Sequence, residues 1–196
     1  MSNPRETLPL RFIDSNILFR MFAASPAKIE RYRENGSCGN ESLDYAVGLL
    51  LKLGEGGYST SEIALLETVS VASRLGGQSK AEALFRAAIT QEGLRILETR
   101  GLAYPLSFAF VLDYRLEARD SLHLAVATLS AVSILITSDA NFADGTETAI
   151  KQVAEQGFQL PRSVRAVYRL TGKETTLVEE KVNQSLSLIS VERAPA

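Results

Sequence analysis

Four acidic residues stand where a carboxylate can do chemistry: Asp14, Glu67, Asp120 and Asp139. Asp14 ends the apolar run Leu10-Arg11-Phe12-Ile13, and Asp139 ends a second, Ser133-Ile134-Leu135-Ile136-Thr137-Ser138. Glu67 lies inside the apolar stretch from Ile63 to Leu75, and Asp120 opens another, Leu122 to Ala127. Open α/β sheets bind ligands in the crevice beyond the carboxyl ends of their strands, where an acid ending a buried strand is delivered. Brought together, the four would repel: at an effective dielectric near 20, two like charges about 4 Å apart cost roughly 4 kcal/mol. A cation among them removes that cost, so the cluster is a metal-site hypothesis first.

Taken singly, three of the acids have a second reading. Aspartate is a favoured helix N-cap, and Asp14, Asp120 and Asp139 all lie at strand-to-helix or loop-to-helix joints. Glu67 has no such role. Ile63, Ala64, Ser70 and Val71 share its helical face, so it is paired, at a cleft edge or aimed at a cation. Its partner could be Arg74 across the helix or an arginine from another element. His123 is the one histidine in the chain, which excludes a zinc site built from several histidines. Three residues after Asp120, it could orient that carboxylate or simply pack in the core. An all-oxygen ligand set favours Mg²⁺ or Mn²⁺ over zinc.

Other residues carry less. Glu62 favours a helix N-terminus electrostatically, and Asp144 reads as a surface residue or a fifth acid. Cys38 sits in a Gly-rich loop with no evident partner. Gly54-Glu55-Gly56-Gly57 is not a phosphate loop, because no Gly-Lys-Ser/Thr follows.

The elements that must position these residues follow from pattern. Residues 10–13, 94–98 and 133–137 read as strands. Helices are expected from Ser15 or Asn16 as cap through Phe22, from Pro26 to Glu34, and from Leu43 to Leu53. Ser61 is a good N-cap for a helix to Leu75, ended by Gly76-Gly77, and Lys80 to Gln91 forms the next. Leu102 to Leu116 is helical despite Pro105, Asp120 caps a helix to Ala131, and Asn141 to Gln156 follows. Strands separated by helices predict a parallel sheet covered on both faces. Val164, Val167 and Tyr168 fit helix or strand equally. Val178, Val182, Leu186 and Ile189 predict an amphipathic helix within Thr175 to Ile189, packing on the domain or on a second copy.

With 196 residues, 45% hydrophobic and 22% charged, the chain is an ordinary globular domain with room for a core. One cysteine excludes an internal disulfide framework. No signal-peptide pattern opens the chain and no apolar run is long enough for a bilayer, so a cytoplasmic location without membrane contact is expected. A net charge of −2 lacks the bulk basicity of a dedicated nucleic-acid binder. Arg11 and Arg20 flank Asp14, and Arg115 and Arg119 precede Asp120; they are solvated face residues or one basic rim for a polyanion.

Four motifs occur in order: Phe12-Ile13-Asp14-Ser15-Asn16, Ser61 through Glu67, Asp120-Ser121-Leu122-His123, and Thr137-Ser138-Asp139-Ala140-Asn141-Phe142. In that order and register the chain resembles the PIN domain family of metal-dependent ribonucleases, which includes VapC-type toxins. The resemblance covers roughly residues 10–160. It implies a Rossmann-like PIN fold, with a central parallel sheet flanked by helices and Asp14, Glu67, Asp120 and Asp139 as the catalytic, metal-binding quartet. Asn16, Ser61 and Thr137 fall at its supporting polar positions. It also implies Mg²⁺ or Mn²⁺ as cofactor and RNA as substrate, cleaved by a metal-activated water to 5′-phosphate and 3′-hydroxyl ends. An antitoxin protein and a homodimer are the partners it suggests.

Extra sequence before Ser61 and beyond Pro161 departs from a minimal member. Residues 1–160 are therefore read as the nuclease domain and 161–196 as a C-terminal extension for packing or dimerisation. The rival reading is a non-catalytic RNA- or protein-binding module on the same fold. A small-molecule phosphatase would need a second acid two residues after Asp14, where Asn16 stands.

Overall fold

Phe12 and Ile13 are neighbours on one strand and both are fully buried, which requires a sheet covered on both faces. The computed structural model describes residues 9–99, 101–170 and 175–196. The sheet comprises β1 (Arg11–Ile13), β2 (Tyr58–Ser61), β3 (Leu94–Leu97), β4 (Ile134–Thr137) and β5 (Ser190–Arg193). Their order is β3-β2-β1-β4-β5, and every pairing is parallel. Strand order reverses between β1 and β4, making the crevice beyond their carboxyl ends the natural ligand site.

Helices α1 (Ser15–Ala23), α2 (Pro26–Asn35), α3 (Glu41–Lys52) and α4 (Glu62–Thr90) occupy the first half of the chain. Then follow α5 (Ala103–Tyr114), α6 (Ala118–Leu129), α7 (Ala140–Gln156), α8 (Arg162–Leu170) and α9 (Thr175–Leu186). The two faces of the sheet divide them. Phe12 and Leu135 join a core with Leu106 and Phe110 of α5, Leu124 of α6 and Val153 of α7. Ile13 and Ile136 point the other way, onto Ile17, Leu18 and Met21 of α1, Leu49 of α3 and Leu65 of α4. Burying such a side chain contributes about 1.5–3 kcal/mol, so these two strands fix the plane of the molecule and the position of Asp14.

The expected α/β architecture is present, with informative differences. β2 is not among the expected strands: Tyr58-Ser59-Thr60-Ser61 is polar, yet all four residues are buried. The Ser59 and Thr60 hydroxyls donate to the carbonyls of Arg11 and Ile13 on β1, so the polarity is satisfied internally. β5 was not expected at all. The helices expected on either side of Gly76-Gly77 are joined as α4, broken at Gly77 with φ 73° and ψ −176°.

Two caps are corrected. The side chain capping α1 is Asp14, not Ser15 or Asn16, and α6 begins after Glu117, which leaves Asp120 inside its first turn. The stretch holding Val164 is helical; the side chains of Val167 and Tyr168 lie outside the described residues. Val178, Val182, Leu186 and Ile189 enter the same core as Phe12. Among the described residues no helix is long and apolar enough to cross a membrane.

Candidate metal centre

Asp14 leaves β1 with both carboxylate oxygens hydrogen-bonded. Oδ1 accepts from the Ser15 amide at 2.7 Å and Oδ2 from the Thr137 hydroxyl at 2.8 Å. Only 4% of the residue is exposed. Burial pushes its carboxyl above the ordinary aspartate value, although His123 and the bonds from Thr137 and Ser15 oppose the rise. Thr137 thus bonds directly to Asp14, and it also accepts from the Asp139 amide at 3.0 Å.

Glu67 reaches the same crevice from the second turn of α4. Its Oε2 lies 3.2 Å from His123 Nε2, and its Oε1 lies 3.4 Å from Arg119 Nε. Burial favours its protonated form, but His123, Ser15 and Arg119 together outweigh that and hold the carboxyl below its ordinary value. The arginine paired with Glu67 is therefore Arg119 of α6, not Arg74. Arg119 Nε also lies 3.6 Å from Asp120 Oδ1.

Asp120 is 4% exposed. Desolvation pushes its carboxyl up to about 6; Arg119 works against the rise, while the negative charges of Asp139 and Asp14 add to it. Asp139 is half-buried and caps α7, its Oδ1 accepting from the amides of Asn141 at 2.9 Å and Phe142 at 3.2 Å. Capping and ligation were alternatives for Asp14 and Asp139, and both residues do cap. One oxygen of Asp139 carries neither amide bond.

The structure therefore brings the four acids to one crevice but not to one point. Among the described residues, the group whose ligand atoms lie within 4.8 Å of one another is Asp14, Glu67 and His123. Asp120 and Asp139 stand outside that group, with Asp120 close enough to both Asp14 and Asp139 to feel their charge. Asn16 is exposed in the first turn of α1. Ser61 caps α4 by accepting from the Ala64 amide at 3.0 Å, and its hydroxyl also meets His123 Nδ1 at 3.1 Å.

The less prominent residues are settled too. Glu62 accepts from the Thr99 amide at 2.9 Å, and Asp144 is held by Arg193 at 2.6 Å. Cys38 does have a partner, donating its thiol to Asp44 at 2.8 Å. Sequence pattern missed the contacts of His123 with Ser61 and Glu67, because they join residues about sixty positions apart. Arg119 was visible only as a neighbour of Asp120.

The donor set suits a hard divalent cation: buried or half-buried carboxylates, two of them raised by desolvation, with mutual repulsion that such an ion relieves. A parallel α/β sheet carrying an acidic crevice at its strand reversal defines a Rossmann-like class of domain. The PIN domain model matches residues 38–147, more than half of the chain, and the chain belongs to that family. The match begins after Asp14, which joins the site through β1.

The fold is similar to that of Mycobacterium tuberculosis VapC20, described as a sarcin-ricin-loop cleaving toxin. There the TM-score is 0.52 at 17% identity, covering 68% of this chain and 93% of that one. A toxin–antitoxin complex from Klebsiella pneumoniae aligns with TM-score 0.45 at 19% identity, covering 68% of this chain and 90% of that chain. No curated protein matches the sequence.

Proposed function

We propose that this PIN domain is a divalent-cation-dependent endoribonuclease that hydrolyses phosphodiester bonds in RNA. The observation that carries the reading is the convergence of Asp14 and Glu67 with His123 within 4.8 Å, at the carboxyl edge of β1 and beside β4. Asp14, Glu67, Asp120 and Asp139 are the residues we assign to hold Mg²⁺ or Mn²⁺ and carry catalysis. A bound divalent cation supplies a water of lowered pKa and neutralises charge on the phosphate.

The chain's own groups do the rest. Thr137 fixes Asp14, and the α7 cap fixes Asp139. Arg119 is half-exposed at the rim, where it can meet an approaching phosphate. Ser61 anchors the start of α4 and Asn16 faces solvent beside Asp14, both within the proposed supporting set. Family membership and the order of the four motifs support a toxin's role, with an antitoxin protein as partner and a second copy of this chain as its dimer mate.

Cleavage of a labelled RNA panel in Mg²⁺, Mn²⁺ or EDTA tests the reading, with Asp14→Asn alongside the unaltered protein. Cutting in Mg²⁺ or Mn²⁺ only, with at least a hundredfold loss in Asp14→Asn, is expected. Cutting in EDTA, or full activity in the variant, overturns it.

A further inference from the structure

The imidazole of His123 lies buried in the crevice among the carboxylates. It is 1% exposed, and its ring lies 5.9 Å from that of Phe12 and 6.1 Å from that of Phe142. The Glu67 carboxylate opposite Nε2 can only accept, which assigns a proton to that nitrogen. Ser61 Oγ accepts from the Ala64 amide as the cap of α4, so its own proton is free for His123 Nδ1, 3.1 Å away. Nδ1 then accepts, and Nε2–H donates to Glu67 Oε2 at 3.2 Å.

Glu67 needs that hold. It is a long side chain with 21% exposure, and its other oxygen faces Arg119, whose side chain is 51% exposed. Without His123 the carboxylate would be left to the Ser15 side chain and to a half-exposed arginine, and pairs of the latter kind contribute little order. The imidazole cannot follow it outward, being locked between two phenylalanine rings and a helix cap.

We propose that His123 is a positioning residue: its Nδ1 is held by Ser61, and its Nε2–H holds the Glu67 carboxylate beside Asp14. This rests on the metal-centre reading above. The chain Ala64 N–H, Ser61, His123, Glu67 links the first turn of α4 to α6, so one side chain fixes an acid carried by another element. On this assignment His123 supports the ligands of the cation and is not one itself, since a nitrogen bearing a proton has no lone pair for a cation.

The test is Mn²⁺ binding to the full chain, by calorimetry and by electron paramagnetic resonance. His123→Asn places its amide near Ser61 but falls short of Glu67; His123→Gln can reach Glu67 with an N–H. Loss of such a supporting bond lowers metal affinity 10- to 100-fold. That loss is expected in His123→Asn, with Gln restoring affinity to within about threefold of the unaltered protein. In a Glu67→Gln background, His123→Asn should change affinity no further, because the partner is already altered.

Equal losses in Asn and Gln, additive losses in the double variant, or a ¹⁴N coupling from the ring on bound Mn²⁺ would each overturn the role. The expected binding pattern without RNA cleavage sustains the role and sinks the nuclease reading. RNA cleavage with additive losses does the reverse, and absence of Mn²⁺ binding sinks both.

Discussion

Asp14 and Asp120 are both 4% exposed, yet they are treated differently. Asp14 is surrounded by donors, with an amide on one oxygen and a hydroxyl on the other. Burial, with two neighbouring acids adding to it, lifts the Asp120 carboxyl to about 6 against the opposing guanidinium of Arg119 at 3.6 Å. A folded-state value above the unfolded one means that the native protein binds more protons between the two. Stability from this group is therefore present below pH 4 and lost as pH climbs towards 6. The shift corresponds to a loss on the order of 3 kcal/mol without a cation. Asp120→Asn should escape it. In EDTA the variant is expected to be more stable than the unaltered protein at pH 7 and no more stable at pH 4. Urea unfolding at the two pH values measures this, and parallel curves would refute it.

At the scale of elements, two glycines show where the chain path is tightly set. Gly77 breaks α4 with φ 73° and ψ −176°, a region open essentially to glycine alone, although nothing lies within 4 Å of an added Cβ. Gly77→Ala should cost about 1–3 kcal/mol of backbone strain. Gly93 precedes β3 at φ +80°, and a Cβ there would lie 1.7 Å from the carbonyl oxygen of Leu53. Backbone must move to admit it, so Gly93→Ala should destabilise more than Gly77→Ala. Urea midpoints rank the two, and the reverse order would show that α4's break is the more rigid constraint.

The same elements show what the sequence could reveal. β1 and β4 were legible because both of their faces are buried, which makes an apolar run, and the acids ending them were legible with them. β2 was hidden because its hydroxyls bond to β1, and nothing local announces such a partner. β5 was hidden because Ser190, Glu192 and Arg193 are exposed at the sheet edge. Asp120 was misread as a cap because the α6 start depends on Arg115, which turns the chain at φ 56° after α5. Glu67 was singled out correctly as an acid in need of a partner. Its partners, His123 and Arg119, come from α6, and helical periodicity carries no information about them.

For the whole molecule, the decisive question is whether residues 161–196 are an accessory or part of the folding unit. β5 pairs along β4, and the Ala194 amide donates to the Thr137 carbonyl at 2.8 Å. Thr137 is the residue whose hydroxyl holds Asp14, so the last strand borders the strand that supports the site. Arg193 binds Asp144 and Glu147 of α7, and Arg20 of α1 donates to the Pro195 carbonyl at 2.9 Å. Exposed ion pairs add little, and the decisive contribution is apolar. Leu186 of α9 is fully buried in the core that holds Phe12 and Phe110. Leu186→Ala removes that packing and should cost about 2–5 kcal/mol. We propose that the loss is felt everywhere, because the core is shared and the unit is cooperative. Thermal unfolding followed by circular dichroism and by tyrosine fluorescence should then show one transition, displaced equally in both signals. An early partial transition in the variant, with the remainder melting at the original temperature, would make the C-terminal segment a separable addition to a self-sufficient nuclease domain.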